Sequence, residues 1–302
     1  MSLLRELLIR AAELDASDIH LKVNEQAIFR AHANLVESGS PIITGDLMAQ
    51  LIDEMIPSHS KKQYEQRHEV DFSMEQVEVG RYRVNVFLSQ GLPTVAMRHV
   101  KTNIPSFEEL HLPMILKDIA EAPRGIVLAT GTTGSGKSTT LAAMVQHINV
   151  TAKRRIITVE DPIEYVFEDD LSIISQREVG LDTVSFHAAL KYVLRQDPDV
   201  IMVGEMRDAE SFTAALVASE TGHLVFSTVH TDTASQTVSR ILNFFPFTER
   251  DQVRMNLATN LRAVMCQRLI PSIQGGVVPA IEIMVNTPTV RKLMEKNQLE
   301  KL

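Results

Sequence analysis

"GIVLATGTTGSGKSTTLAAM", Gly125 to Met144, sets an apolar run against a glycine-rich turn, then a lysine, two hydroxyl residues and an apolar series. Gly125 to Thr130 reads as a buried strand. From Ser138 onward Leu141, Met144, Val145 and Ile148 recur at helical spacing, so the stretch predicts a strand, a loop and a helix in succession. Gly131, Gly134 and Gly136 let backbone N–H groups turn inward around an anion, and the helix start adds the positive end of its dipole. The pattern G-x-x-x-x-G-K-[ST] is matched in full by Gly131 to Ser138. In such a loop Lys137 reaches the outer phosphates and the Ser138 hydroxyl ligates Mg²⁺. Gly131, Thr132, Thr133, Gly134, Ser135, Gly136, Lys137, Ser138 and Thr139 are therefore expected to hold a nucleoside triphosphate.

The pattern of the chain changes on either side of about residue 100. Residues 1–100 combine an amphipathic opening helix (Leu3, Leu4, Leu7, Leu8, Ala11) with alternating segments such as "GRYRVNVFLSQ" and "TVAMRHV", an α+β pattern. "KTNIPSFEELHLP" carries two prolines among polar residues, and 101–112 is the expected linker. Over 113–302 the apolar strands "GIVLAT", "RIITVE", "VIMVG" and "HLVFSTV" alternate with helical segments, which predicts an α/β domain with a mostly parallel sheet covered on both faces. The closing "PTVRKLMEKNQLEKL" reads as an amphipathic helix without a stop signal, so the chain is expected to continue past Leu302.

Composition narrows the class. With 302 residues, 44% hydrophobic and 23% charged, the chain has the make-up of a globular protein with two domains. "MSLLRELLIRAAEL" is too charged for a signal peptide and no apolar run reaches membrane-spanning length, so a cytoplasmic location is expected. The single cysteine, Cys266, excludes an intrachain disulfide and a multi-cysteine zinc site; its setting "AVMCQRL" suits a small core residue. A net charge of -8 gives no global attraction to nucleic acid or anionic lipid.

In a parallel α/β sheet ligands collect at the carboxyl ends of the strands. "IITV" ends in Glu160, Asp161, Pro162, Ile163 and Glu164; "VIMVG" ends in Glu205, Met206, Arg207 and Asp208; "HLVFSTV" ends in His230 and Thr231. Phosphoanhydride hydrolysis needs a group that positions water or takes its proton, an acid near Mg²⁺, and a sensor of the terminal phosphate. Glu160 is expected in the first role, since it leaves a strand directly into a proline turn. Glu205 is expected to orient Mg²⁺ through water, with Ser138, and His230 to hydrogen-bond the γ-phosphate region. Glu164 and Asp208 are either helix caps or arginine partners.

Together with "ASDIHL" and "GRYRVNVF", these motifs resemble the secretion and type IV pilus ATPase superfamily: "GTTGSGKSTT" is similar to its Walker A motif, "ITVEDPIEY" to its Asp box, "RQDPDVIMVGEMRD" to its Walker B motif and "ETGHLVFSTVHT" to its His box. Within it the chain is similar to the retraction (PilT/PilU-type) ATPases, whereas the extension ATPases carry a cysteine-bearing metal insertion. "TVRKLMEK", Thr289 to Lys296, departs from the usual retraction motif "AIRNLIRE". The resemblance implies a PAS-like N-terminal domain, a RecA-like ATPase domain, ATP and Mg²⁺ as ligands, and a homo-hexameric ring. It further implies a place at the inner membrane through a pilus platform protein, with a paralogous retraction ATPase as another partner. It also implies that Arg83 and Arg98, and Arg195 in "RQDP", contact phosphate when the domains close. Arg81 and Arg83 share one face of an alternating strand. The competing classes are an accessory ATP-binding subunit of a pilus or type II secretion motor, and a nucleic-acid translocase. Intact Lys137, Glu160 and Glu205 argue against the first. The acidic net charge and the lack of a basic stretch with interleaved aromatics argue against the second.

Overall fold

The computed structural model describes residues 2–32, 34–77, 79–100, 102–273 and 275–302. They form two compact units, Met1–Thr102 and Asn103–Leu302.

The first unit is a six-stranded antiparallel sheet of β1 (Ala16–Lys22), β2 (Ile28–Ala31), β3 (Asn34–Glu37), β4 (Glu69–Gln76), β5 (Gly80–Ser89) and β6 (Leu92–His99), in the order β3-β2-β1-β6-β5-β4. Alternation along β5 buries Tyr82, Val84 and Val86 on one face, where they meet Leu4, Leu7, Leu8 and Ala11 of the opening helix and Met48, Leu51 and Ile52 of the helix Gly45–Met55. Arg83 therefore points to the other, exposed face.

The second unit holds a seven-stranded sheet: β7 (Gly125–Thr130), β8 (Arg155–Glu160), β9 (Ile173–Glu178), β10 (Val200–Val203), β11 (Leu224–Val229), β12 (Leu261–Pro271) and β13 (Val277–Val285), in the order β13-β12-β7-β11-β10-β8-β9. All neighbours run parallel except β12 and β13. Strands buried on both faces read as continuous apolar runs, and β7 shows why. Ile126 and Leu128 enter one core with Phe212, Leu216 and Leu257, while Val127 and Ala129 enter another with Leu141, Met144 and Val145.

The stretch expected as a linker forms no helix or strand over 102–112, but it is anchored. Phe107 and Leu112 are only 3% and 6% exposed and pack with Leu116, Ile119 and Val145 in the second unit. The apolar residues between the two prolines are anchors. Lys101, at its start, lies outside the described residues.

Candidate active site

The order β7-β11-β10-β8 sets the carboxyl ends of four parallel strands side by side. β7 runs into the phosphate loop, β11 into His230, β10 into Glu205, and β8 ends on Glu160. Thr133, Gly134, Lys137, Ser138, Glu160, Glu205 and His230 line one cavity of about 270 Å³, together with Glu164, Arg207 and the ring residues Tyr165 and Phe186.

The loop turns as its glycines allow. Gly131, Gly134 and Gly136 have φ of 136°, 78° and 87°, values that a side chain strains. A Cβ at Gly131 would collide with the Gln267 carbonyl, and one at Gly136 would stand 2.6 Å from Gln267 Nε2. Gly136 is the N-cap of the helix Lys137–Thr151 and supplies no side-chain cap, so the first turn keeps its N–H groups for an anion. Lys137 Nζ donates to Gly131 O at 3.0 Å and Thr132 O at 2.9 Å. Burial lowers its pKa, and the nearby carboxylates of Glu205 and Glu164 oppose that shift. Thr139 Oγ1 shares a 3.0 Å hydrogen bond with Tyr165 OH, which ties the helix start to the segment after β8. Ser135 Oγ is buried without a hydrogen-bond partner among the described residues. Thr132 is exposed on the loop.

Glu160 is 6% exposed. Its Oε1 accepts from Thr158 Oγ1 at 2.6 Å and Gln176 Nε2 at 3.1 Å. Burial outweighs these bonds and pushes its pKa up to about 7. A carboxylate poised there exchanges a proton readily near neutral pH. Glu205 is the opposite case. Arg207 Nη2 donates to its Oε2 at 2.6 Å, and His230 Nε2 lies 3.2 Å from its Oε1. The Arg207 bond, above all, holds its carboxyl below the ordinary range, so it stays ionised. Two carboxylates pushed in opposite directions within one cavity are suited to different roles.

The ambiguous acids separate. Asp208 Oδ1 accepts from Ser211 N at 2.7 Å, capping the helix Ala209–Glu220. Glu164 stays exposed on the cavity wall, in no ion pair among the described residues. Arg195 is not brought to the cavity of its unit. The helix Phe186–Val193 begins beside it and runs away, leaving Arg195 exposed over the Tyr192 ring at 5.8 Å, before the start of β10. In the first unit Arg83 and Arg98 are register partners across β5 and β6. Arg98 Nε donates to Asp18 Oδ1 at 2.8 Å, and Arg83 Nη2 lies 3.9 Å from Asp71.

Sequence reasoning passed over Gln267, Gln176 and Arg207. Arg207 was in view, two residues after Glu205. Neither glutamine carries a local signal, because each meets the site only through sheet pairing.

The model of the type II/IV secretion system protein family matches residues 1–295. The chain belongs to that family. A twitching motility protein of Neisseria gonorrhoeae is 45% identical over 276 residues, 91% of this chain and 74% of that protein. The type IV pilus retraction ATPase PilT of Pseudomonas aeruginosa is 41% identical over 297 residues, 98% of this chain and 86% of that one. A solved structure of the pilus retraction motor PilT with bound ADP superposes with a TM-score of 0.93 at 43% identity, covering all of this chain and 88% of its own. Within the family the chain stands with the PilT/PilU-type retraction ATPases.

Proposed function

We propose that the chain is a Mg²⁺-dependent ATP hydrolase whose cycle powers retraction of a type IV pilus. The convergence of the phosphate loop, the raised Glu160 carboxyl and the ionised Glu205 on one cavity carries this reading. The backbone of Gly131 to Thr139 and the Lys137 ammonium hold the phosphates. Glu160 takes the proton of the attacking water, and His230, set against Glu205, reports the terminal phosphate. Ser138 and Glu205 offer oxygen donors that suit Mg²⁺. Among the described residues no cluster of three or more His, Cys, Asp and Glu forms a metal cage. Mg²⁺ ordinarily takes only one or two protein oxygens beside phosphate and water, so these donors fit it, and it would neutralise charge building on the phosphates.

The first unit serves as a PAS-like domain and the second as a RecA-like motor domain, six copies forming a ring. Arg83 and Arg98 meet phosphate as the first unit closes, and Arg195 serves a neighbouring copy. The ring works in the cytoplasm against a platform protein of the inner membrane, with a paralogous ATPase as a further partner. No helix among the described residues is long and apolar enough to cross a membrane.

Substitution of Lys137 tests the reading. Lys137→Ala should reduce phosphate release to background, because the ammonium compensates charge on the transferring phosphoryl group. In cells lacking the protein, this variant should fail to restore pilus retraction. Hydrolysis retained by the variant would remove the loop from the mechanism; hydrolysis lost with retraction intact would make the chain an accessory subunit.

A further inference from the structure

Strand β12 touches both loops of the cavity, from its two faces. Ala263 and Met265 point into the core beneath the helix Lys137–Thr151, and Val264 points into the other core. Continuing the alternation, Gln267 falls on the phosphate-loop face, while Cys266 and Arg268 fall on the opposite one.

Gln267 is 4% exposed, and its Oε1 accepts from Thr140 Oγ1 at 2.8 Å. Thr140 is itself buried, one turn into the helix that follows the loop. The rest of the residue crowds the loop: its carbonyl sits under Gly131 and its Nε2 under Gly136. On the other face Cys266 Sγ donates to Asp232 O at 3.1 Å and Arg268 Nη2 donates to the same carbonyl at 3.3 Å. That carbonyl belongs to the loop carrying His230.

A buried amide that bonds a buried hydroxyl has few other partners, so the contact fixes one geometry. We propose that Gln267 is a positioning residue for ATP hydrolysis: it sets the phosphate loop through Thr140, while Cys266 and Arg268 hold the His230 loop from the same strand. The inference rests on the reading of this loop as the ATP site. Gln267 is not among the residues that line the cavity. It acts by keeping Lys137 and Ser138 in register with His230 and Glu205, and displacement of a reacting group by about 1 Å costs about 10²-fold in rate.

The test uses the full chain with three variants. Thr140→Val removes the hydroxyl at nearly constant shape, Thr140→Ser keeps it, and Gln267→Leu removes the acceptor. Turnover at saturating MgATP, ADP affinity and thermal unfolding are measured for each. Thr140→Val and Gln267→Leu should each lose about 10-fold to 10²-fold in turnover. ADP affinity should change by less than about threefold, the mark of a defect in the reacting state rather than in ground-state binding. Thr140→Ser should recover most of the rate, and the double variant should be no worse than either single one, because both remove the same contact.

Full turnover in Thr140→Val would overturn the proposal, even if Gln267→Leu failed to fold. Equal losses of turnover and ADP affinity, tracking a drop in unfolding temperature, would also overturn it and leave Gln267 a packing residue. Lys137→Ala separates the two readings: an active Lys137→Ala protein sinks the ATP site itself, whereas an inactive one beside an active Thr140→Val sinks only the role of Gln267.

Discussion

Glu160 ends an apolar strand, and the burial that completes the sheet also raises the pKa of its carboxyl, which suits the proposed role of base. Its pKa of about 7, against an ordinary 4.5, has two consequences with opposite dependence on pH. With Glu160 as the proposed base, turnover needs the ionised form, so the rate should climb as pH rises through about 7, and Glu160→Gln should abolish most turnover while keeping nucleotide affinity. Stability moves the other way. The folded protein keeps its proton at pH values where the unfolded chain has lost it, so this group's contribution to stability falls as pH rises from 4.5 to about 7 and is flat above. Glu160→Gln should remove that slope. Phosphate release from pH 5.5 to 8.5, with thermal melts of both proteins at the ends of the range, checks both limbs. An unchanged rate profile in a variant that still turns over would show that another group is the base.

At the scale of elements, the sheet was legible because its strands are apolar on both faces and end in polar residues. "GIVLAT", "RIITVE", "VIMVG" and "HLVFSTV" became four adjacent strands with Glu160, Glu205 and His230 on one edge. What sequence does not carry is which strand flanks the phosphate loop. β12 follows β7 by more than 130 positions in the chain, yet pairs with it from Leu261 to Cys266. Gln267 was therefore invisible as a site neighbour. Arg195 shows a related limit: its place just before β10 sets it at the amino end of that strand, away from the cavity of its own unit. Two prolines signal a loop over 102–112, whereas the burial of Phe107 and Leu112 depends on a core built later in the chain and leaves no local signal.

The same crowding gives a prediction for the loop as an element. Gly131→Ala must strain a φ of 136° and push against the backbone carbonyl of Gln267, which cannot move without shifting β12. Gly136→Ala meets only the end of the Gln267 side chain, which can swing aside. Both pay the positive-φ penalty of about 1–2 kcal/mol, so Gly131→Ala should unfold at lower denaturant than Gly136→Ala, and both below the native chain. Urea melts without nucleotide measure it. Equal midpoints for the two variants would mean that β12 does not brace the loop.

For the whole molecule, the question is how a hydrolysis site in one unit engages the other. Along one register row of the first sheet lie Arg30, Asp18, Arg98 and Arg83. Like charges set directly across strands repel, so the pairing of Arg98 with Arg83 needs an offsetting group or a function. Asp18 supplies the offset. Burial pushes its carboxyl up, but hydrogen bonds from Ser17 and Arg98 outweigh burial and hold it below the ordinary range. Among the described residues Arg98 is tied through Nε alone, and its side chain remains 72% exposed, which leaves the terminal fork available for an anion. If closure brings this fork to phosphate, Arg98→Ala and Arg83→Ala should each lower turnover far more than ATP affinity, since the contact forms in the reacting state. Lysine at either position should rescue poorly, because an ammonium lacks the planar pair of donors. Arg81, two residues before Arg83 on the same strand face, provides the comparison. Because the proposed function places the chain in a ring, sedimentation with and without nucleotide belongs beside the kinetics: a fully active monomer would dispose of the ring requirement. Small and equal effects at Arg81, Arg83 and Arg98 would return this row to an ordinary exposed sheet face and leave hydrolysis uncoupled from the first unit.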